Sequence, residues 1–412
     1  MGKGEIAGRL TRRSVLLGLA ASLAACSPGG MQWGSRSLSL PWGGGAGADT
    51  GAGAMTPMAT TPSERFGRGP VTVALLLPLS GEPTLAQLGL ALANASKLAI
   101  GFIEANPNIA ENITISLRDT GSTAAGATSA AQAAVAEGAK LVLGPLTSEQ
   151  ITAAAGVTRP ANIPMIGFAN NGSVAGANVY VLNVLPEAEM KRALTYMMSQ
   201  GRRGPAGIFP STPYGEALAA AFRTQAIAVG FNPSAVYTFS DISEAQSIIA
   251  QAKPIVDKGM LDALFIPDRA SAPTFAGLLA QSGVRPDDVQ LVGSADWAND
   301  PGLLANPALV GAVFPAVDEV GLNAIRADYQ GRFGSAPPQM ATIAYTATIL
   351  ANVNTLSMAT PPYNPQLMTN PSGFAGRDGL FRFNSNGRSD YALVIKKIGA
   401  GGVVSVADAA KL

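Results

Sequence analysis

The stretch KLVLGPLTSEQ, Lys140 to Gln150, runs from an apolar segment of strand character straight into a helix start. Gly144 and Pro145 end the segment, and Thr147, Ser148, Glu149 and Gln150 follow at once. Joints of this kind recur in parallel sheets, whose strands are covered on both faces and therefore read as unbroken apolar runs. Upstream, VTVALLL (71–77) is a second such run, followed by a long helical pattern carrying Leu85, Leu88, Leu92, Ala95 and Ala99. ITISLRD and an alanine-rich helix, TAAGATSAAQAAVAEG, complete the unit, and IPMIGF follows as a fourth strand.

A second block repeats the alternation. PAGIF, AVYTF, DALFI and QLVGS read as strands, with helices predicted near Glu216–Val229, Glu244–Lys258 and Thr274–Gly283. Strands alternating with helices imply parallel sheets with right-handed crossovers. The predicted fold is therefore α/β, with two doubly wound parallel-sheet lobes. In such sheets ligands bind beyond the carboxyl ends of the strands. The loops to inspect are PLSG, GPLTSEQ, GFANNGS, FPSTPYGE and GSADWAND.

Each loop carries two readings. Thr147 with Gln150 fits a T-x-x-Q capping box, which satisfies helix amides without any ligand. The same helix start presents free N–H groups and a positive dipole end to an anion, and Ser148 adds a hydroxyl. Asn170 and Asn171 suit turn conformations that asparagine tolerates, or contact a ligand. Tyr214 is a core aromatic or an aromatic stacked on a bound molecule. Asp296 is a solvated loop carboxylate or the partner of an ammonium group.

Composition removes several function classes. The chain has 412 residues, 47% hydrophobic and 13% charged, with a formal net charge of +1. That is enough to bury two cores, and it offers no basic surface of the kind nucleic acids require. There is no histidine, so triads built on imidazole and histidine metal sites are excluded. The one cysteine, Cys26, forms no intrachain disulfide. The sequence contains no S-x-x-K, G-x-S-x-G or G-x-x-x-x-G-K-[ST] motif, and Asp287-Asp288 falls in the polar turn RPDD. No enzyme, cofactor or metal is expected.

The amino terminus reads as an address. MGKGEIAGRLTRR is a basic region, and SVLLGLAASL is an apolar stretch too short for a bilayer, which needs roughly 20 residues. LAAC, Leu23 to Cys26, resembles the lipobox of bacterial lipoproteins, which implies cleavage after residue 25 and lipidation of Cys26. TRRS resembles a twin-arginine export signal, or is simply the basic region. Ser27 in second place favours outer-membrane sorting. From Ser27 to Gly69 the chain is rich in Gly, Ala, Pro, Ser and Thr, so 26–69 is expected to be a tether. As a coil of about 43 residues it would reach roughly 35 Å.

Within 70–412, three segments carry a family likeness. VALLLPLSGEPTLAQLGLALANASKLAI, GAKLVLGPLTSEQITAAAGVTRPANIPMIGFANN and FPSTPYGEALAAAF resemble type I periplasmic solute-binding proteins. The likeness is nearest to the leucine/isoleucine/valine receptors of ABC importers, and runs in order from Val71 to Ile398. LTSEQ, FANN and MTNPSGFAGRDGLFRFNSNG resemble an alphaproteobacterial branch of penicillin-binding-protein activator lipoproteins. The resemblance implies two lobes joined by three hinge crossings, placed near Val181–Pro186, Val313–Val317 and Phe381–Asn386. Lobe 1 is then 70–183 with 315–380, and lobe 2 is 184–314 with 381–412.

Carried over by position, Ser80 and Gly81 border the cleft, and Thr147 and Ser148 match the loop that holds an amino-acid carboxylate. Asn170 and Asn171 match the next loop, Tyr214 a lid aromatic, and Asp296 the region of the acid that pairs an ammonium. Two functions follow as expectations. One is a periplasmic receptor that closes on an amino-acid-like solute and serves an ABC permease. The other is an outer-membrane lipoprotein that stimulates a penicillin-binding protein, its cleft vestigial.

Overall fold

The computed structural model describes residues 64–232 and 235–412. The expected signal peptide (1–25), Cys26 and most of the expected tether lie outside the described residues.

The first sheet has six strands: β1 (Glu64–Phe66), β2 (Val71–Leu77), β3 (Ile113–Asp119), β4 (Leu141–Leu143), β5 (Met165–Gly167) and β6 (Val179–Val181). Their order is β1-β3-β2-β4-β5-β6, all parallel except the edge strand β1, which runs antiparallel to β3. β1 shortens the expected tether. Its three residues, Glu-Arg-Phe, are too few and too polar to show a strand period. Helices α1 (Pro83–Ala105), α2 (Ala124–Ala136) and α3 (Ser148–Thr158) make the crossovers.

Strand β2 shows why its sequence is apolar throughout. Val73, Leu75 and Leu77 face one core, shared with Leu92, Ala95 and Ala99 of α1. Ala74 and Leu76 face another, made with Ala130, Ala131 and Ala134 of α2 and Ile151 and Ala154 of α3. Small residues on that second face let two alanine-rich helices sit close to the sheet. At the end of β4, Gly144 adopts φ +82, and a Cβ there would lie 2.1 Å from the Leu76 carbonyl oxygen. Only glycine fits this turn.

The second sheet repeats the plan. Helix α4 (Pro186–Ser199) leads to β7 (Pro205–Pro210), α5 (Pro213–Val229), β8 (Val236–Phe239), α6 (Ala245–Asp257) and β9 (Ala263–Phe265). α7 (Ala272–Gln281), β10 (Gln290–Val292), the single turn α8 (Pro301–Leu304) and β11 (Val313–Ala316) follow. The chain then returns to the first core with α9 (Val320–Phe333), α10 (Ala341–Asn352) and the short α11 (Asn354–Ser357) and α12 (Pro365–Met368). A three-stranded antiparallel sheet comes next: β12 (Phe374–Gly376), β13 (Gly379–Phe383) and β14 (Ser389–Tyr391). Finally β15 (Leu393–Ile398) and β16 (Val404–Lys411) join the second sheet, whose order is β16-β15-β11-β10-β9-β7-β8.

Two crossings differ from expectation. Val313–Val317 was expected to be a crossing, but Val313–Ala316 is strand β11 inside the second sheet, and the chain leaves after it. Phe381–Asn386 was expected to be the third crossing. Phe381, Phe383 and Tyr391 instead pack in the first lobe's core, and the chain enters the second sheet at Leu393. The aromatic alternation of Phe381 and Phe383 fits a strand in either lobe, so packing decided between them. Lobe 1 therefore extends to about residue 391, not 380.

Candidate functional site

Omitting the antiparallel edges, both sheets have the same order: β3-β2-β4-β5-β6 in one and β8-β7-β9-β10-β11 in the other. In each, the order reverses between the first and third strands of the set. This switch point leaves a crevice between the loops that follow those two strands. In lobe 1 these loops are Pro78–Glu82, after β2, and Gly144–Thr147, after β4. In lobe 2 they are Ser211–Thr212, after β7, and Ile266–Ser271, after β9.

A chain of contacts brings the two carboxyl edges together. Arg388, in the turn before β14, donates from Nε to the Gly172 carbonyl oxygen (3.1 Å), in the loop after β5. Its Nη1 donates to Glu187 Oε1 (3.0 Å), in the first turn of α4. Two residues on, Glu189 accepts a 2.9 Å hydrogen bond at Oε2 from the Ala295 amide, in the loop after β10. The two carboxyl edges thus meet at the crossings.

On the first lobe's side much of the predicted donor set is engaged within the chain. Ser80 donates from Oγ to Asp119 Oδ2 (2.5 Å), and Asp119 Oδ1 accepts the amides of Leu79 (2.8 Å) and Gly121 (2.7 Å). Burial raises the Asp119 carboxyl, but the Ser80 hydroxyl and these amides outweigh it and hold it below its ordinary range. Gly81 is at φ +93, tight against Ser122. Glu82 caps α1, accepting the amides of Thr84 (3.0 Å) and Leu85 (2.7 Å). A carboxylate of the chain itself therefore sits at the helix start after β2.

Thr147 caps α3, its Oγ1 accepting the Gln150 amide (3.2 Å). The capping box is only half formed, because Gln150 turns away. Its Nε2 donates to Thr120 Oγ1 (3.2 Å) and the Gly121 carbonyl (2.9 Å), which ties α3 to the end of β3. The first internal bond of α3 runs from the Ile151 amide to the Thr147 carbonyl (2.9 Å). The amides of Ser148 and Glu149 precede it and face out of the helix end. Asn171 accepts the Ser173 amide (2.9 Å), and Asn170 is exposed beside it.

The second lobe's side is acidic and partly buried. Glu189 is 5% exposed, and burial pushes its carboxyl up to about 8, against the Ala295 amide and with the charge of Asp296. Burial also raises Asp296; Arg269 opposes the shift and Asp268 adds to it. Tyr214, in the first turn of α5, is raised well above its ordinary value by burial and by Glu189, Asp296 and Asp268. Sequence reasoning brought forward Tyr214 and Asp296 and missed Glu189, Asp268 and Arg269. An acid in the first turn of a helix reads as a charge that complements the helix dipole, and nothing local shows that it is buried. Among the described residues no group of three or more acidic, histidine or cysteine side chains is arranged to hold a metal ion.

Two α/β lobes of the same strand order make up the chain, and comparison with known families places it. Residues 70–390 match the family model described as periplasmic binding protein, and the chain belongs to that family. Membership implies an extracytoplasmic protein. The curated protein "penicillin-binding protein activator LpoA" of Edwardsiella piscicida is 27% identical over 204 residues. That match covers 48% of this chain and 29% of LpoA, so the chain spans under a third of this relative's length. Among solved structures, the fold is similar to an ABC transporter substrate-binding protein from Desulfitobacterium hafniense in complex with Leu. The TM-score is 0.59 at 19% identity, covering 82% of this chain and 99% of that one. It is similar as well to the C-domain of LpoA from Haemophilus influenzae, described as a regulator of PBP1A. There the TM-score is 0.62 at 14% identity, covering 83% and 100%. These relatives are binding or regulatory proteins.

Proposed function

We propose that this chain is an extracytoplasmic solute receptor whose lobes close on a small, ammonium-bearing molecule of amino-acid type and present the closed form to an ABC permease. The observations that carry this reading are the acidic group of the second lobe, where Glu189, Asp296 and Asp268 act on Tyr214, and the amides of Ser148 and Glu149 at the start of α3 on the first. A carboxylate would sit at the start of α3 and an ammonium against Asp296, with Tyr214 covering the apolar part. Contacts to both lobes exist only when the lobes close, so binding biases the hinge. Binding and hinge motion suffice for this role, with no covalent step. Lipidation of Cys26 would anchor the protein to the membrane.

The test is a thermal-shift screen of the full chain against the twenty amino acids and simple amines. A Tm increase with an amine-bearing solute, reduced by Asp296→Asn and by Tyr214→Phe, supports the receptor. No shift with any solute sinks it.

A second reading is favoured by different observations. Ser80 is held by Asp119, Glu82 occupies the start of α1, and the curated match above is to a penicillin-binding-protein activator. On this reading the protein is an outer-membrane lipoprotein that contacts a peptidoglycan synthase, and the interlobe face binds nothing small. Co-purification with a penicillin-binding protein, and stimulation of its glycan synthesis, would establish it.

A further inference from the structure

Arg388, just before β14, and Asp390, within it, meet Glu187 and Lys191 of α4 in opposite charge order. Arg388 donates from Nη1 to Glu187 Oε1 at 3.0 Å, and Lys191 Nζ lies 3.9 Å from Asp390 Oδ2. Glu187 and Lys191 are one helical turn apart and share a face of α4. That helix enters the second lobe's core through Met190, Ala193, Leu194 and Met197. Arg388 and Asp390 are seated in the first lobe. The Gly387 carbonyl accepts the Val181 amide (2.9 Å), and Ser389 Oγ donates to the Asn183 carbonyl (2.7 Å). Asp390 takes Arg382 Nη2 (2.8 Å) and Asn384 Nδ2 (3.1 Å). Both ion pairs therefore cross from one lobe to the other, and both are incomplete. Arg388 divides its guanidinium between the Gly172 carbonyl, reached by Nε at 3.1 Å, and one oxygen of Glu187. The other oxygen, Oε2, is buried without a hydrogen-bond partner among the described residues. A carboxylate oxygen in that state costs free energy that a two-pronged arginine contact would remove. Lys191 stands about 1 Å beyond the distance at which an ammonium donates to a carboxylate. Gly172 makes the room for Arg388, since a Cβ there would lie 3.1 Å from Nε and 3.3 Å from Cδ.

We propose that Glu187, Lys191, Arg388 and Asp390 form an ionic latch between the lobes with two settings. One is the arrangement described above. In the other, α4 has moved toward the turn, Arg388 holds both Glu187 oxygens, and Lys191 donates to Asp390. The latch sits beside the first and third crossings, where a small displacement is amplified at the far ends of the lobes. The lobes thereby have two preferred orientations before anything binds. The latch rests on neither functional reading: it would tune closure in a receptor and fix the presented surface in an activator.

The experiment is a double electron–electron resonance measurement on the full-length chain without any solute. Spin labels go on Gln87→Cys in α1 and Ala217→Cys in α5, both exposed, with Cys26→Ser to leave only these two thiols. Two distance populations are expected in dilute buffer. The four side chains of the latch are 22% to 41% exposed, so salt reaches them. In about 1 M salt, where the Debye length is about 3 Å, the tightened population should shrink. Glu187→Gln and Lys191→Met should each deplete the same population by about two- to fivefold relative to the other. A single distance population in the unsubstituted latch overturns the proposal. So does a ratio that neither salt nor substitution moves, and so does depletion of one population by salt and of the other by the variants. The salt titration needs no substitution in the latch, so it decides the matter even where a variant fails to fold.

Discussion

The amide of Ala295 donates to the buried carboxyl of Glu189 across 2.9 Å, fastening the loop that bears Asp296 to the first turn of α4. An acid so placed makes stability depend on pH. Its folded value of about 8 lies above its ordinary one, so the unfolded chain releases this proton more readily. The stabilisation is complete below the ordinary carboxylate range and is lost as pH rises to about 8. Between about pH 5 and pH 8 the native protein should lose about 2 kcal/mol or more from this group, roughly 5 °C in Tm. In Glu189→Gln that part of the decline should vanish. Parallel declines in variant and native protein would show that Glu189 ionises freely in the fold.

Asp378 contributes in the same direction over a lower window. It is 5% exposed in the turn between β12 and β13, and burial raises it to about 6 against hydrogen bonds from Thr342 and Gln339. Gln339 Nε2 donates to its Oδ1 at 3.2 Å. Stability from Asp378 is present in acid and fades as pH passes about 6. Asp378→Asn should remove the part of the decline that Asp378 contributes up to about pH 6 and leave the Glu189 decline, which runs to about pH 8, intact. A profile unchanged in Asp378→Asn would contradict this assignment.

Arg192 joins α4 to the last two strands. Its Nε donates to the Leu393 carbonyl (2.7 Å), and Nη2 to Asp408 Oδ2 (2.8 Å) and the Ala409 carbonyl (3.0 Å). The residue is 5% exposed, so truncation leaves two carbonyls without their donor and Asp408 with Lys411 as its remaining cation. Arg192→Ala should destabilise the protein by about 3 kcal/mol. Asp408→Asn keeps an acceptor and should cost about 1 kcal/mol. Urea denaturation of both variants checks the ranking, and equal losses would contradict it.

The turn at Gly144 and the cap at Thr147 separate backbone from side-chain effects. Gly144→Ala places a methyl against the Leu76 carbonyl at positive φ and should destabilise by about 3 kcal/mol. Thr147→Ala loses one capping bond, to the Gln150 amide, at about 1 kcal/mol. Chemical denaturation should rank them in that order. On the receptor reading Thr147→Ala should also weaken solute binding, because the start of α3 loosens.

Most strands of the parallel sheets were readable as apolar runs covered by helices; β6 was not read, and β11 was taken for a crossing. Val71–Leu77 could not alternate once α1 covered one side and α2 and α3 the other. The switch-point loops followed from that, since the ends of the apolar runs are where helices begin. β1, β12, β14 and β16 were not readable. They are short or largely exposed, so neither a period of two nor a continuous run marks them. Phe381 and Phe383 were placed at the third crossing, on the second lobe's side, and lie in the first lobe's core, because an apolar residue shows that a face is buried without showing against what.

The same division holds at the site. By itself the sequence determined an α/β chain of two repeated halves, without histidine chemistry, with helix starts after strands and with Tyr214 and Asp296 on two of the loops. These are consequences of local pattern and composition. Only the tertiary structure decided that Glu189 faces Tyr214 and Asp296, that Ser80 is already held by Asp119, and that Gln150 leaves its cap for Gly121. The reason is that burial and charge are properties of neighbours distant in the chain. An acid 106 residues from the amide it accepts carries no local sign of that partner.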